Sequence, residues 1–143
     1  MTTSVRRVPL WVMWIPLVWC ISFPWTGRTA QAQWERVHPM PFSDPADKPR
    51  DLIANLLLFI PFGYSFARGR PRARAAVGAF VAAAATSASA EALQLFSTVR
   101  FPSGTDVLAA VSGALAGCVL AAVRRKRRES CKRSETVSRP NSA

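Results

Sequence analysis

Four apolar stretches separated by charged connections organise the chain. The first, residues 8–25 (VPLWVMWIPLVWCISFPW), carries no charge at all. The second, residues 51–67 (DLIANLLLFIPFGYSFA), has its only charge, Asp51, at its start. The third, residues 75–96, is rich in alanine and holds Glu91 near its far end. The fourth, residues 106–123, again puts its charge, Asp106, first. A helix of about 18 residues is ~27 Å long, close to the ~30 Å thickness of a bilayer's hydrocarbon. A soluble helix of that length would show a polar face, and the first and fourth stretches show none. The pattern predicts an all-α polytopic membrane protein, a bundle of four transmembrane helices. Alanine is barely hydrophobic, so the third helix is expected to pack between neighbours rather than face lipid. Pro61 lacks an amide hydrogen, which predicts a kink in the second helix near Leu57.

Charge changes this picture by giving it a direction. The chain has 143 residues, 19 of them Lys or Arg and 8 Asp or Glu, for a net charge of +11. Fourteen of the 19 basic residues fall in three segments: Arg6 and Arg7, the link with Arg68, Arg70, Arg72 and Arg74, and the tail from Arg124 onward. Four spans would put these segments on one side of the membrane. Six of the eight acids would lie at or near the other. The positive-inside rule then places both termini in the cytoplasm. Membrane lipids are the partner this excess of charge implies, and no nucleic-acid-reading fold accompanies it.

The first stretch admits a second reading. Arg6-Arg7, an apolar core and Ala30-Gln31-Ala32 together have the layout of a signal peptide with its cleavage site. Cleavage would leave three spans in place of four. The expected organisation is an N-terminal helix and outer loop (residues 1–50), a three-helix membrane domain (51–123) and a basic, disordered cytoplasmic tail (124–143). His38, among prolines in the outer loop, is expected to be solvated.

Candidate chemistry is sparse. The three cysteines, Cys20, Cys118 and Cys131, cannot make a multi-disulfide scaffold. A single histidine excludes a His-rich metal site. No glycine-rich phosphate loop, CxxC, HExxH or GxSxG is present, so neither a cofactor nor a metal is expected. What remains is a gathering of polar residues at one membrane level. Asp51 and Asn55 are four apart, and Glu91 and Gln94 three apart, so each pair shares a helix face. Arg100, Ser103 and Asp106 follow in the short outer connection and at the mouth of the fourth helix. Charges at membrane depth are costly and face an interior or a partner. These seven residues are therefore expected to form one cluster at the outer face, with Arg100 offsetting the carboxylates. The competing explanation is local. Asp51, Ser103 and Asp106 could each serve a helix start, and Asn55 and Gln94 could be interhelical hydrogen-bonding groups. Gly113 and Gly117 form a GxxxG face, extended by Ala109 and Ala121, that lets another helix approach closely and offers a route to a homo-oligomer.

The ordered set of these motifs resembles the VanZ-like family of small bacterial membrane proteins. That family shows an Asp, an Asn four later and a Phe-x-Pro-x-Gly stretch, here Asp51, Asn55 and Phe59-Ile60-Pro61-Phe62-Gly63. Its Glu-x-x-Gln is here Glu91 and Gln94, and its Arg, Ser and Asp at intervals of three are Arg100, Ser103 and Asp106. One position departs from the pattern: Ala110 stands where the family usually has Asn. The resemblance implies a cell-envelope accessory protein linked to glycopeptide (teicoplanin) resistance, with an envelope precursor or a glycopeptide headgroup as ligand. Two alternatives stay open. One is a membrane enzyme acting through Glu91 and Asp106 on a lipid-linked substrate. The other is a small proton- or ion-coupled transporter.

Overall fold

The computed structural model describes residues 9–23, 25–42 and 49–137. A 3-10 turn (Leu10–Met13) leads into α1 (Trp14–Ser22), followed by α2 (Pro49–Ala67), α3 (Arg72–Gln94) and α4 (Gly104–Val137). The described residues form no strand, and the all-helical expectation holds. Among them α3 and α4 are long and apolar enough to cross a membrane. α2 has 19 residues, but Arg50, Asp51 and Asn55 dilute its apolar character. The first helix is shorter than its apolar stretch suggested. It ends at Ser22 because Phe23 is already extended, at φ −64° and ψ 132°. Phe23 precedes a proline, and that neighbour disfavours helical backbone.

α3 is inside-out relative to a helix of a soluble protein. α3 buries Ala75, Ala79, Ala83, Ser87, Ala90 and Glu91 along one face. It turns its large apolar residues outward, with Val77 65% and Val81 58% exposed. Leu57 of α2 and Val119 and Leu120 of α4 also face outward. Small residues inside and large aliphatic ones outside suit helices whose surroundings are as apolar as their side chains. α3 thus packs on its neighbours through its alanines, but against expectation it also meets the exterior, through Val77, Phe80 and Val81.

The main seam joins α2 to α4. An added Cβ on Gly63 would lie 1.8 Å from the Ala114 carbonyl oxygen, and one on Gly117 would lie 2.1 Å from that of Ile60. Gly113 meets the carbonyl of Leu56 in the same way, at 2.3 Å. The two backbones therefore run in direct contact. The GxxxG face does what its spacing predicts, but its partner is α2 of the same chain, so it is not open to a second copy. Above the seam, Phe59, Phe62 and Phe66 occupy successive turns of α2 and are buried. Trp11 closes over them, its ring 4.9 Å from that of Phe66. Pro61 stands within α2, whose helix continues through it.

α4 differs from expectation at its far end. The basic tail does not begin as disordered chain: the helix runs on to Val137, 34 residues in all, or ~51 Å at the helical rise. Arg, Lys and Glu are good helix formers. Neither glycine nor proline interrupts the run, and Arg125 pairs with Glu129 one turn on, at 4.0 Å. The last six residues, and Arg6 and Arg7 at the other terminus, lie outside the described residues.

Residues 25–42 do more than connect α1 to α2. They lie over the α3–α4 connection and bond to it through main-chain groups. Thr29 donates to the Phe96 carbonyl and Gln33 to that of Leu95, both at 3.0 Å, and Thr98 donates back to Gly27 at 2.8 Å. His38 is half-buried, contrary to the solvated reading. Its amide donates to the Pro102 carbonyl at 3.1 Å, and its carbonyl accepts from Gly104 at 2.9 Å. The bundle thus has a loop end, built from this cover and the α3–α4 connection, and an arginine end.

Candidate functional site

The loop end holds a cavity of about 610 Å³. All seven residues singled out in the sequence line it: Asp51 and Asn55 from α2, Glu91 and Gln94 from α3, Arg100 and Ser103 from the connection, and Asp106 from α4. The register of the antiparallel helices brings them together. α2 enters at this end, α3 leaves at it and α4 starts at it. Asp51 and Arg100 are exposed at the rim, Asn55 is half-buried, and Glu91 (9% exposed) and Gln94 (5%) form the buried wall.

Ser103 immediately precedes the first residue of α4, in the N-cap position. Its hydroxyl accepts the amide of Thr105, two residues on, at 3.2 Å, the bond an N-cap serine makes. Asp106 occupies the third helical position, and its amide donates to the Ser103 carbonyl at 3.2 Å. In a capping box the residue at that position reaches back to the cap's own amide. Here Glu91, from another helix, takes that place: the Ser103 amide donates to Glu91 Oε2 at 3.0 Å. The buried carboxylate is thereby tied to the positive end of the α4 dipole. Asp106 lies within hydrogen-bonding reach of Glu91, and Arg100 within Coulombic range. Two carboxyl groups facing each other need a proton, a cation or a donor between them. At Ser103 the local role and the shared lining coincide: it caps α4 and also lines the cavity.

Several contributors were missed. Thr105 is 2% exposed and its hydroxyl accepts the Phe42 amide at 2.9 Å. It stands in the Ser-Gly-Thr-Asp run between two residues that were noticed, and that adjacency was the available signal. Phe42 holds φ 60°, a strained conformation for a bulky residue, fixed by that hydrogen bond. Ser97, buried, accepts the Val99 amide at 3.2 Å and the Arg100 amide at 3.0 Å, which fixes the turn presenting Arg100. Arg36 from the cover stacks on Phe101, 3.8 Å from the ring centroid. Nothing in the spacing of 36 and 101 announces that contact. Ala110, where the resemblance leads one to look for Asn, is buried in the apolar core one turn below Asp106. The only histidine brings its main chain against Ser103, but it is not part of the cavity lining. Among the described residues no three Asp, Glu, His or Cys side chains gather as a metal-ligand set.

Apolar helices with outward aliphatic faces around a polar end cavity define a small helical membrane protein. A family model described as VanZ/LLP1 matches residues 3–125. The chain belongs to the VanZ-like family, and the match takes in α1 and the cover as well as the three helices that carry the motifs. No curated protein and no solved structure matches the chain.

Proposed function

We propose that this VanZ-like protein crosses the bacterial cytoplasmic membrane four times, with both termini cytoplasmic, and that its loop-end cavity receives the polar headgroup of an envelope component from the outer side. The observation that carries the reading is the convergence of seven polar residues from three helices and one connection on a single cavity. Structural glue alone needs no such volume. The ligand class is a lipid-linked wall precursor or a glycopeptide, which connects the protein to antibiotic resistance through its family. Arg100 suits an anionic part of that headgroup, and Asn55, Gln94 and Asp51 suit its hydroxyl and amide groups. Support for four spans comes from aliphatic residues exposed on every helix, including Leu17 and Ile21 of α1. A retained α1 is supported by its packing. Val18 is buried in the core and Trp19 Nε1 donates to Ser89 Oγ of α3 at 3.0 Å.

The test is binding of a lipid-linked wall precursor, and separately of teicoplanin, to the purified chain, followed by native mass spectrometry. Retention by the wild type and loss in Glu91→Gln is expected. Equal retention by both would remove the cavity from the function. Topology is read by cysteine labelling in a variant lacking the native cysteines. Position 99, exposed in the α3–α4 connection, should label from outside and position 69 from inside, and the reverse pattern would overturn the orientation. A second reading draws on the closeness of Glu91 and Asp106, which would suit acid/base work on a lipid-linked substrate. Product release from that precursor would favour it over binding alone.

A further inference from the structure

The opposite end of the bundle carries a second cleft, of about 430 Å³, between the α2–α3 turn and the side of α4. Six arginines line it, and they fall into two groups. Arg70, Arg124 and Arg125 are engaged in holding the fold. Arg70 donates to the Phe66 carbonyl, Arg124 donates to Tyr64 Oη at 3.5 Å, and Arg125 donates to the Arg70 carbonyl at 3.3 Å. The side chains of Arg68, Arg72 and Arg128 make no hydrogen bond or ion pair among the described residues, although they line the same cleft. The first turn of α3 adds to the field. Its N-cap is Pro71, which supplies no side-chain cap, and Arg72 of that turn with Ala75 and Ala76 of the next lines the cleft. A helix start with arginines around it favours an anion.

The floor of the cleft is apolar. Leu115, Cys118, Val119 and Ala122 form it. Val119 is also among the residues exposed on the outer surface of α4, so the cleft opens sideways onto the face the bundle turns to lipid. A soluble phosphate would have no use for that floor. We infer that this cleft binds an anionic phospholipid, its phosphate held by Arg68, Arg72 and Arg128 and its acyl chain laid along Leu115, Val119 and Ala122. Guanidinium groups meet phosphate oxygens through paired hydrogen bonds, and the chain contact adds apolar burial. This is more than the general attraction of basic segments to an anionic leaflet, because it specifies a site, a stoichiometry and a set of arginines. It does not depend on what the loop-end cavity binds.

The experiment uses the full chain in a neutral detergent, where a single titrated lipid creates no charged surface. Phosphatidylglycerol and phosphatidylcholine are added separately, and retention is read by native mass spectrometry. One phosphatidylglycerol per chain should be retained, and phosphatidylcholine should not. Arg72→Gln with Arg128→Gln should weaken retention by roughly twenty-five-fold, at about a fivefold loss for each basic residue. Lys126→Gln with Arg127→Gln removes the same charge from the same end of the bundle, outside the cleft lining, and should leave retention unchanged. Ala122→Trp fills the floor with every charge kept, and should weaken retention too. Equal losses from the two charge pairs, or retention indifferent to Ala122→Trp, would reduce the cleft to diffuse electrostatics and overturn the assignment. Displacement of the lipid by inorganic phosphate at equal concentration would also overturn it, by making a soluble anion the ligand. Thermal unfolding is recorded for each variant, and if the Arg72/Arg128 pair is unstable, Arg128→Gln alone carries the comparison.

Discussion

The α2–α4 seam and the loop-end cavity share two helices and are built on opposite terms. Along the seam, Gly63, Gly113 and Gly117 bring backbone against backbone with no room for a methyl group. At the cavity, a few ångströms of open space are kept by hydrogen bonds between polar groups: Glu91 to the Ser103 amide, Ser103 to that of Thr105, Thr105 to that of Phe42. The seam gains its stability from close dispersion contact, which is individually weak and collectively large. The cavity wall gains little net stability from each bond, but it holds charged and amide side chains in fixed positions. The seam therefore holds the helices in register, and the register is what presents the site.

If that division is right, the largest effect belongs to the seam. Gly63→Val should prevent a stable fold, since its branched side chain would meet the Ala114 carbonyl; the loss should be about 4 kcal/mol or more, as for other severe overpacking. Failure to recover a cooperatively unfolding protein in detergent is the measurement. A Gly63→Val protein that melts with the wild type would break the comparison at once.

The next effect belongs to the cavity wall. Glu91→Ala leaves the buried Ser103 amide without its acceptor, at a cost of about 1–3 kcal/mol. Glu91→Gln keeps an acceptor oxygen and should cost less, yet should abolish precursor or glycopeptide retention as fully as Glu91→Ala. Parallel losses of stability and binding across the two variants would mean that Glu91 serves the fold alone.

Ser103→Ala removes the N-cap of α4 and should lower stability by about 1 kcal/mol, read as a shift of the thermal midpoint. Ser103→Asn, which also caps, should restore it. The smallest effect on stability is expected at the rim. Asp51→Asn should leave the midpoint where it is, because the residue is exposed at a helix start that asparagine also suits. Its effect should appear only in ligand retention, which sharpens the contrast with Gly63, where the fold itself is lost.

The sequence itself settled the helical class, because long apolar stretches with no polar face have few solutions. It also pointed to the residues that line the loop-end cavity. Asp51, Asn55, Glu91 and Gln94 stand at spacings that share a helix face, and alternating chain direction returns them to one end without further information. The small-residue pattern of α4 declared a close helix contact but not its partner, since any helix with a matching small-residue face would serve; only the packing shows that α2 supplies it through Gly63. The extent of α4 past Val123 was hidden because charge argues for solvation and not against helix. The cover formed by residues 25–42 was hidden for a different reason. Its grip on the α3–α4 connection runs through main-chain amides and carbonyls, which every residue possesses and no side-chain pattern reveals. The exchange at the start of α4, where Glu91 takes the cap amide that Asp106 stood ready to take, likewise depends on a distance between two helices, and that distance exists only once the chain has folded.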